Sequence, residues 1–126
     1  MTQRHWQSSY GCIPKEINPD AFRSVTELLD QAMKRFADRP AMRCAGQMLT
    51  YADIDRQSRD FAAYLQGKLG VTRGDRIAVM MPNLLAFPIA FLGIVRAGAA
   101  QVSVNPLYTA RELEHQLNDA GVERIS

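Results

Sequence analysis

This 126-residue chain is poor in several things, and each shortage closes off a function. It has two cysteines, Cys12 and Cys44, far apart and outside any CxxC pair. That argues against a zinc site and fits free thiols in a reducing compartment. Only His5 and His115 are available as imidazoles, and a lone helical histidine without a second ligand reads as solvated or capping. Neither charge sign dominates: 15 Lys and Arg against 13 Asp and Glu leave +2, with no basic run to attract nucleic acid. The most apolar stretch, 84–95, contains Pro88 and falls short of the ~18 residues of a bilayer span, so it reads as a buried helix. No apolar signal core lies within residues 1–20. Glycine is missing where phosphate binding needs it, since neither Met81-Pro82-Asn83 nor Asn105-Pro106-Leu107-Tyr108 contains one.

What is present describes an ordinary globular chain, 47% hydrophobic and 22% charged, long enough to bury a core. Residues 1–23 read as an irregular segment broken by Gly11, Pro14 and Pro19, with Trp6, Tyr10 and Ile13 as anchors. Residues 24–126 carry the folded pattern. Ser24 with Glu27 is a capping box, and Val25, Leu28, Leu29, Ala32 and Phe36 follow at helical spacing before Pro40. Residues 41–45 and 47–50 suggest a hairpin across Gly46, which leaves little room for a turn. Thr50 and Asp53 cap a long helix with Ile54, Phe61, Ala62, Leu65 and Leu69 on one face, ended by Gly70.

From Arg76 onward strands and helices alternate. Residues 76–81 form a nearly continuous apolar run, as in a parallel strand covered on both faces, and 101–104 repeat the pattern. Between them lies a helix over 84–97 with Asn83 as N-cap and Gly98 at its end; Pro88 sits awkwardly inside it, so the first turn kinks or the helix starts later. Thr109 and Glu112 cap a further helix to Ala120 with Leu113, Leu117 and Ala120 on one face, Gly121 ends it, and 122–126 begin another strand. The fold class is therefore α/β, part of a doubly wound, mainly parallel sheet flanked by helices. Ending on an incipient strand, the chain reads as a truncated piece. Its two-sided strands predict an exposed apolar face, an unpaired edge and a homo-oligomer joined through the strands or the 84–95 helix.

Chemistry-bearing constellations are weak. Asp53 and Asp55 resemble paired carboxylates, but Asp53 is explained by capping. Glu112 and Glu114 stand two apart on a helix and face different ways. Met80 and Met81 read as core filler, and Tyr51, Phe61 and Tyr64 as packing. The two proline-containing turns lie at the carboxyl ends of strands, where open α/β sheets bind ligands, and are candidate pocket lining.

Four blocks resemble the bacterial long-chain fatty-acid–CoA ligases of the acyl-adenylating, AMP-binding superfamily, in order and spacing. They are Gly46-Gln47-Met48-Leu49-Thr50-Tyr51-Ala52-Asp53, the 74–83 block beginning Gly74-Asp75-Arg76, the 92–99 block beginning Leu92-Gly93-Ile94, and 105–121. The first three are general to acyl-adenylating enzymes. The segment Asn105-Pro106-Leu107-Tyr108-Thr109-Ala110-Arg111-Glu112-Leu113 narrows the likeness to the long-chain branch. The resemblance implies the N-terminal part of the large domain of an enzyme. That enzyme would join a fatty acid to coenzyme A with ATP and Mg²⁺ through an acyl-adenylate, releasing pyrophosphate. The missing signal core and the lack of a bilayer-length apolar run lead us to expect a cytoplasmic location, peripheral to the inner membrane at most. The family's phosphate loop, Thr-Glu motif, ribose-binding Asp and catalytic Lys have no counterpart here, so no catalytic, cofactor-binding or metal residue is named and the segment is expected to bind no cofactor alone. The alternatives are a segment of an aryl- or medium-chain acyl-CoA ligase, or a stand-alone α/β interaction or dimerisation module.

Overall fold

A computed structural model describes residues 4–125. The chain runs through α1 (Val25–Arg35), β1 (Pro40–Cys44), β2 (Gln47–Thr50), α2 (Tyr51–Gly67), β3 (Arg76–Val79), α3 (Ala86–Arg96), β4 (Ala100–Ser103), α4 (Ala110–Ala120) and β5 (Arg124–Ile125). Ahead of α1 the segment is not wholly irregular: His5–Ser9 winds into a 3₁₀ turn with Trp6 edge-on to His5.

Local chemistry sets most helix starts. At α2, Thr50 Oγ1 accepts from the Asp53 amide while Asp53 Oδ2 accepts from the Thr50 amide, both at 3.1 Å. At α4 the Thr109 amide donates to Glu112 Oε2 at 2.8 Å and the Glu112 amide donates to Thr109 Oγ1 at 3.4 Å. Each pair satisfies two amides that an uncapped helix would leave without partners. Ser24 caps α1, but the expected reciprocal bond misses it, because Glu27 Oε2 accepts from the Arg23 amide instead. Asn83 does not cap α3. The helix begins three residues later, with Leu85 as N-cap, which puts Pro88 at its third position, where the missing N–H costs no intrahelical bond.

The hairpin finds its turn by shortening its first strand. Cys44 pairs with Gln47, which leaves Ala45 and Gly46 as a two-residue turn with φ of +48° and +79°. Positive φ at both central residues is what a type I′ turn requires, and its twist matches that of paired strands.

β3 is the centre of the larger sheet, with β4 and β5 parallel on either side. Its Ile77, Ala78 and Val79 are buried on both faces. Met80 and Met81 lie beyond the strand, though Met81 still packs against the core. β4 departs from the expected two-sided burial, because Ala100 and Ser103 are exposed and only Val104 just beyond it is buried. Ser126, in the last expected strand, and residues 1–3 lie outside the described part.

One core joins Ala62 and Leu65 of α2, Ile77 and Val79 of β3, and Ala90 and Ile94 of α3. A second joins Met33 of α1, Ile54 of α2 and Leu92 of α3, with Leu49 and Tyr51 packed on it. Full burial of a side chain such as Leu65 or Ile94 stabilises by about 2 kcal/mol. The run 84–95 packs on α2 through Ala90 and Ile94, while Leu84 and Phe91 stand exposed. Tyr64, expected in the packing, is also exposed, as is Leu69. None of the helices described is long and apolar enough to cross a membrane.

Candidate functional site

The carboxyl edge of the sheet is shaped by the two proline turns. The Val104 amide donates to the Val79 carbonyl at 3.0 Å, which carries the β3–β4 pairing past the strands. Asn105 then makes the turn itself: its Oδ1 accepts from the Leu107 amide at 3.0 Å and its carbonyl from the Tyr108 amide at 3.1 Å. An asparagine side chain that substitutes for backbone in this way fixes the turn before Thr109 starts α4. Leu107 is left 87% exposed.

The other turn closes differently. The Leu84 amide donates to the Pro82 carbonyl at 2.8 Å, and the Asn83 carbonyl accepts from the Cys44 thiol at 3.8 Å. This brings the β1–β2 hairpin against the start of α3. A groove of about 430 Å³ forms there, lined chiefly by Met42, Cys44, Asn83, Leu84, Phe87 and Pro88. None of Asn105, Pro106, Leu107 and Tyr108 lines this groove.

The opposite end of the sheet carries a polar cavity of about 240 Å³ between Gly74, Asp75, Arg76, Gly121, Glu123 and Arg124. Two of its charged groups, Asp75 and Arg124, pair with each other. Asp75 accepts from the Thr72 amide and hydroxyl and faces Arg124 at 3.2 Å, and these bonds, the Thr72 amide first, hold its carboxyl below the usual 3.8. Arg76 donates to the Ala120 carbonyl at 2.7 Å. This end reads as a structural clasp.

Sequence reasoning missed a third cluster. Arg96 of α3 meets Asp30 of α1 at 2.9 Å and Asp55 of α2 at 2.6 Å, and Arg59 adds bonds to the same two carboxylates. The i,i+4 pair Asp55–Arg59 was visible along one helix; the partners on other helices were not. Burial pushes the Asp55 carboxyl up, but its hydrogen bond from Arg59 and the charge of Arg96 outweigh this and leave it lowered. Gly93 was also undervalued. A methyl there would lie 2.6 Å from Phe61 Cδ1 and 3.1 Å from the Ser58 carbonyl, so α2 and α3 touch backbone to ring.

Asp53 acts as a cap, not an acid, and Thr50, first by its side chain and then by its amide, lowers its pKa. His115 and Glu114 stand exposed on α4. Among the described residues, no group of three or more His, Cys, Asp or Glu is arranged to hold a metal ion.

Relatives supply what the geometry leaves open. The long-chain-fatty-acid–CoA ligase of Salmonella typhimurium is 53% identical over 121 residues, which is 95% of this chain and 22% of that protein. The Bacillus subtilis enzyme of the same name is 39% identical over 126 residues, 99% of this chain and 22% of that one. The chain thus spans about a fifth of the length of the curated relatives it matches. Among solved structures, the N-terminal subdomain of Klebsiella oxytoca NpsA superposes with a TM-score of 0.78 at 27% identity, over 82% of this chain and 27% of that one. VinN does so at 0.76 and 34%, over 80% and 26%. The AMP-binding enzyme family matches residues 29–126, and with that match, the parallel sheet and these neighbours, the chain belongs to the AMP-binding enzyme family.

Proposed function

We propose that this chain is part of an ATP-dependent long-chain fatty-acid–CoA ligase, with residues 24–126 forming the N-terminal part of its large domain. The carrying observation is the 53% identity over 121 residues. It runs through the Asn105 turn and the α4 cap, which lie at the carboxyl edge where α/β enzymes bind ligands.

The described residues do not fit ATP or Mg²⁺ by themselves. The strand-to-helix turns carry Pro82 and Pro106 in place of glycines, and among the described residues no group of three or more His, Cys, Asp or Glu could hold a metal ion. No chemical step is therefore routed through these side chains. Their part is to fix the sheet edge: Asn105 sets one turn, and the hairpin braces the other through Cys44 and Asn83. The protein is expected in the cytoplasm, meeting a membrane peripherally where its substrate is supplied. Because β4 and β5 are each paired on one side only among the described residues, the 126-residue chain alone is expected to self-associate. Sedimentation equilibrium at micromolar concentration giving a clean monomer mass would exclude that.

A second reading, activation of an aryl acid, is favoured by the likeness to NpsA, solved with 3-hydroxyanthranilyl-AMSN, but at 27% identity it ranks below. The test is ATP–pyrophosphate exchange by the whole protein that carries this chain, with palmitate and with benzoate. Exchange driven by palmitate supports the ligase; exchange driven by benzoate alone replaces it with the second reading. The isolated 126 residues are expected to give no exchange above blank, since adenylation needs phosphate held and charge stabilised in the transition state.

A further inference from the structure

The groove between the hairpin and the start of α3 is lined by two sulfur-bearing side chains to which the ligase reading gives no chemical part. Met42 and Cys44 stand two apart on β1, and the pairing is regular from Met42 opposite Leu49 to Cys44 opposite Gln47. In an extended strand such residues project to one side, their Cα atoms about 7 Å apart. Both line the groove of about 430 Å³. Cys44 is free and half-buried, and among the described residues its thiol makes one weak bond, to the Asn83 carbonyl at 3.8 Å. Met42 is exposed, although Ala41 beside it packs against the second core.

Thiolate and thioether sulfur are soft ligands, and the pair suits a soft metal ion. The surroundings narrow the choice. Among the described residues no imidazole or carboxylate lines the groove, so a zinc ion would find its tetrahedron half empty, and calcium or magnesium would lack charged oxygens. Arg43, between the two in sequence, also lines it. A monovalent ion with one thiolate is neutral and sits beside this guanidinium at little cost. A divalent ion would leave net positive charge facing it. Leu84, Phe87 and Pro88 make much of the remaining wall apolar, which limits the water that would complete a hard ion's shell.

We propose that Met42 and Cys44 form a two-sulfur site for a soft monovalent metal ion, copper(I) or its redox-silent analogue silver(I). As the metal–sulfur bond forms, the Cys44 thiol gives its proton to solvent, the thiolate binds the metal and Met42 adds a thioether lone pair. Copper stays cuprous throughout. The step gives up the Cys44 bond to the Asn83 carbonyl, one of the contacts that brace the hairpin against α3. The site goes beyond the ligase reading: it needs neither ATP nor coenzyme A and uses none of the residues of the Asn105 turn.

Copper(I) titration of the whole protein carrying this chain tests it, under ascorbate without oxygen and in competition with the copper(I) chelator bicinchoninate. Each variant is compared with the parent protein, so sulfur elsewhere in the molecule cancels. Cys44→Ser is expected to remove one copper per chain. Met42→Leu should weaken that ion by roughly tenfold or more, at least what loss of a supporting partner costs a metal site. Met48→Leu and Cys12→Ser should change neither number nor affinity. Silver(I) should give the same pattern, and excess zinc should not displace the copper. Methionine-to-leucine exchanges nearly conserve volume, and thermal melts confirm that each variant folds; if Cys44→Ser does not, Met42→Leu decides alone. Unchanged affinity in Met42→Leu would show an ordinary thiol acting alone and overturn the proposal. An unchanged copper count in folded Cys44→Ser, or displacement by zinc, would do the same. Because no turnover is scored, the site and the ligase reading stand or fall separately.

Discussion

The Arg96 guanidinium on α3 lies 2.6 Å from the Asp55 carboxylate on α2, and only 6% of the Arg96 side chain is open to solvent. Asp30 of α1 closes the same guanidinium from a third helix. Removing the arginine leaves both carboxylates to the more exposed Arg59 alone. Arg96→Met should cost about 2 kcal/mol, since hydrogen bonds to charged groups are lost while Arg59 still answers both carboxylates. Arg96→Lys should recover part of it, because a lysine keeps the charge but not the planar fork. Urea denaturation of the three proteins checks the order; a neutral Arg96→Met would show that the cluster contributes nothing.

The same cluster gives stability a pH dependence. The Asp55 carboxyl is held below its usual 3.8 in the folded protein, against burial, by Arg59 and Arg96. The folded state therefore favours the ionised form more than the unfolded chain does. That contribution is complete above about pH 4 and is lost as pH falls through the folded value. Asp53, Asp75 and Glu112 shift in the same direction, so acid weakens two helix caps and the Thr72–Asp75 turn together. Urea midpoints should be flat from pH 7 to 5 and drop below 4, and Asp55→Asn should shrink the drop.

Gly93→Ala should destabilise by about 2 kcal/mol, because its methyl would meet the Phe61 ring at 2.6 Å and the Ser58 backbone at 3.1 Å. Pairing it with Phe61→Leu should return part of the loss, and a double-mutant cycle reads the coupling directly. Additive losses would place the clash elsewhere.

Ala45 sits at φ +48°, a conformation that a β-carbon disfavours. Ala45→Asn should stabilise by about 0.5 kcal/mol, since asparagine tolerates this region and Asn-Gly suits the turn. Ala45→Val should lower the melting temperature instead. Both are read by thermal denaturation.

What was legible in the sequence was local. Thr50 with Asp53 and Thr109 with Glu112 sit within one turn of each other, so their partners are fixed by spacing alone. The central parallel strand announced itself through the apolar run at 76–81, while at 101–104 the strand was legible but its exposed face was not. Two kinds of feature stayed hidden. Turn details depended on strand register: Ala45 leaves β1 only because Cys44 pairs with Gln47. Contacts between helices depended on which faces meet, so Gly93 against Phe61 and Arg96 against Asp30 required the packed molecule. The site followed the same division, with the Asn105 turn readable and the groove beside Cys44 not.

α4 is tied at both ends yet buries no residue. Its cap at Thr109, the bond from Gln116 to the Ser103 carbonyl and the clasp of Arg76 on Ala120 are all polar and near solvent. Unwinding it exposes little apolar surface, whereas unwinding α2 or α3 empties the core. Its middle amides should therefore exchange with deuterium through a partial opening that leaves α2, α3 and β3 intact. They would exchange orders of magnitude ahead of the amides of Ile94 and Val79, whose exchange waits on global unfolding.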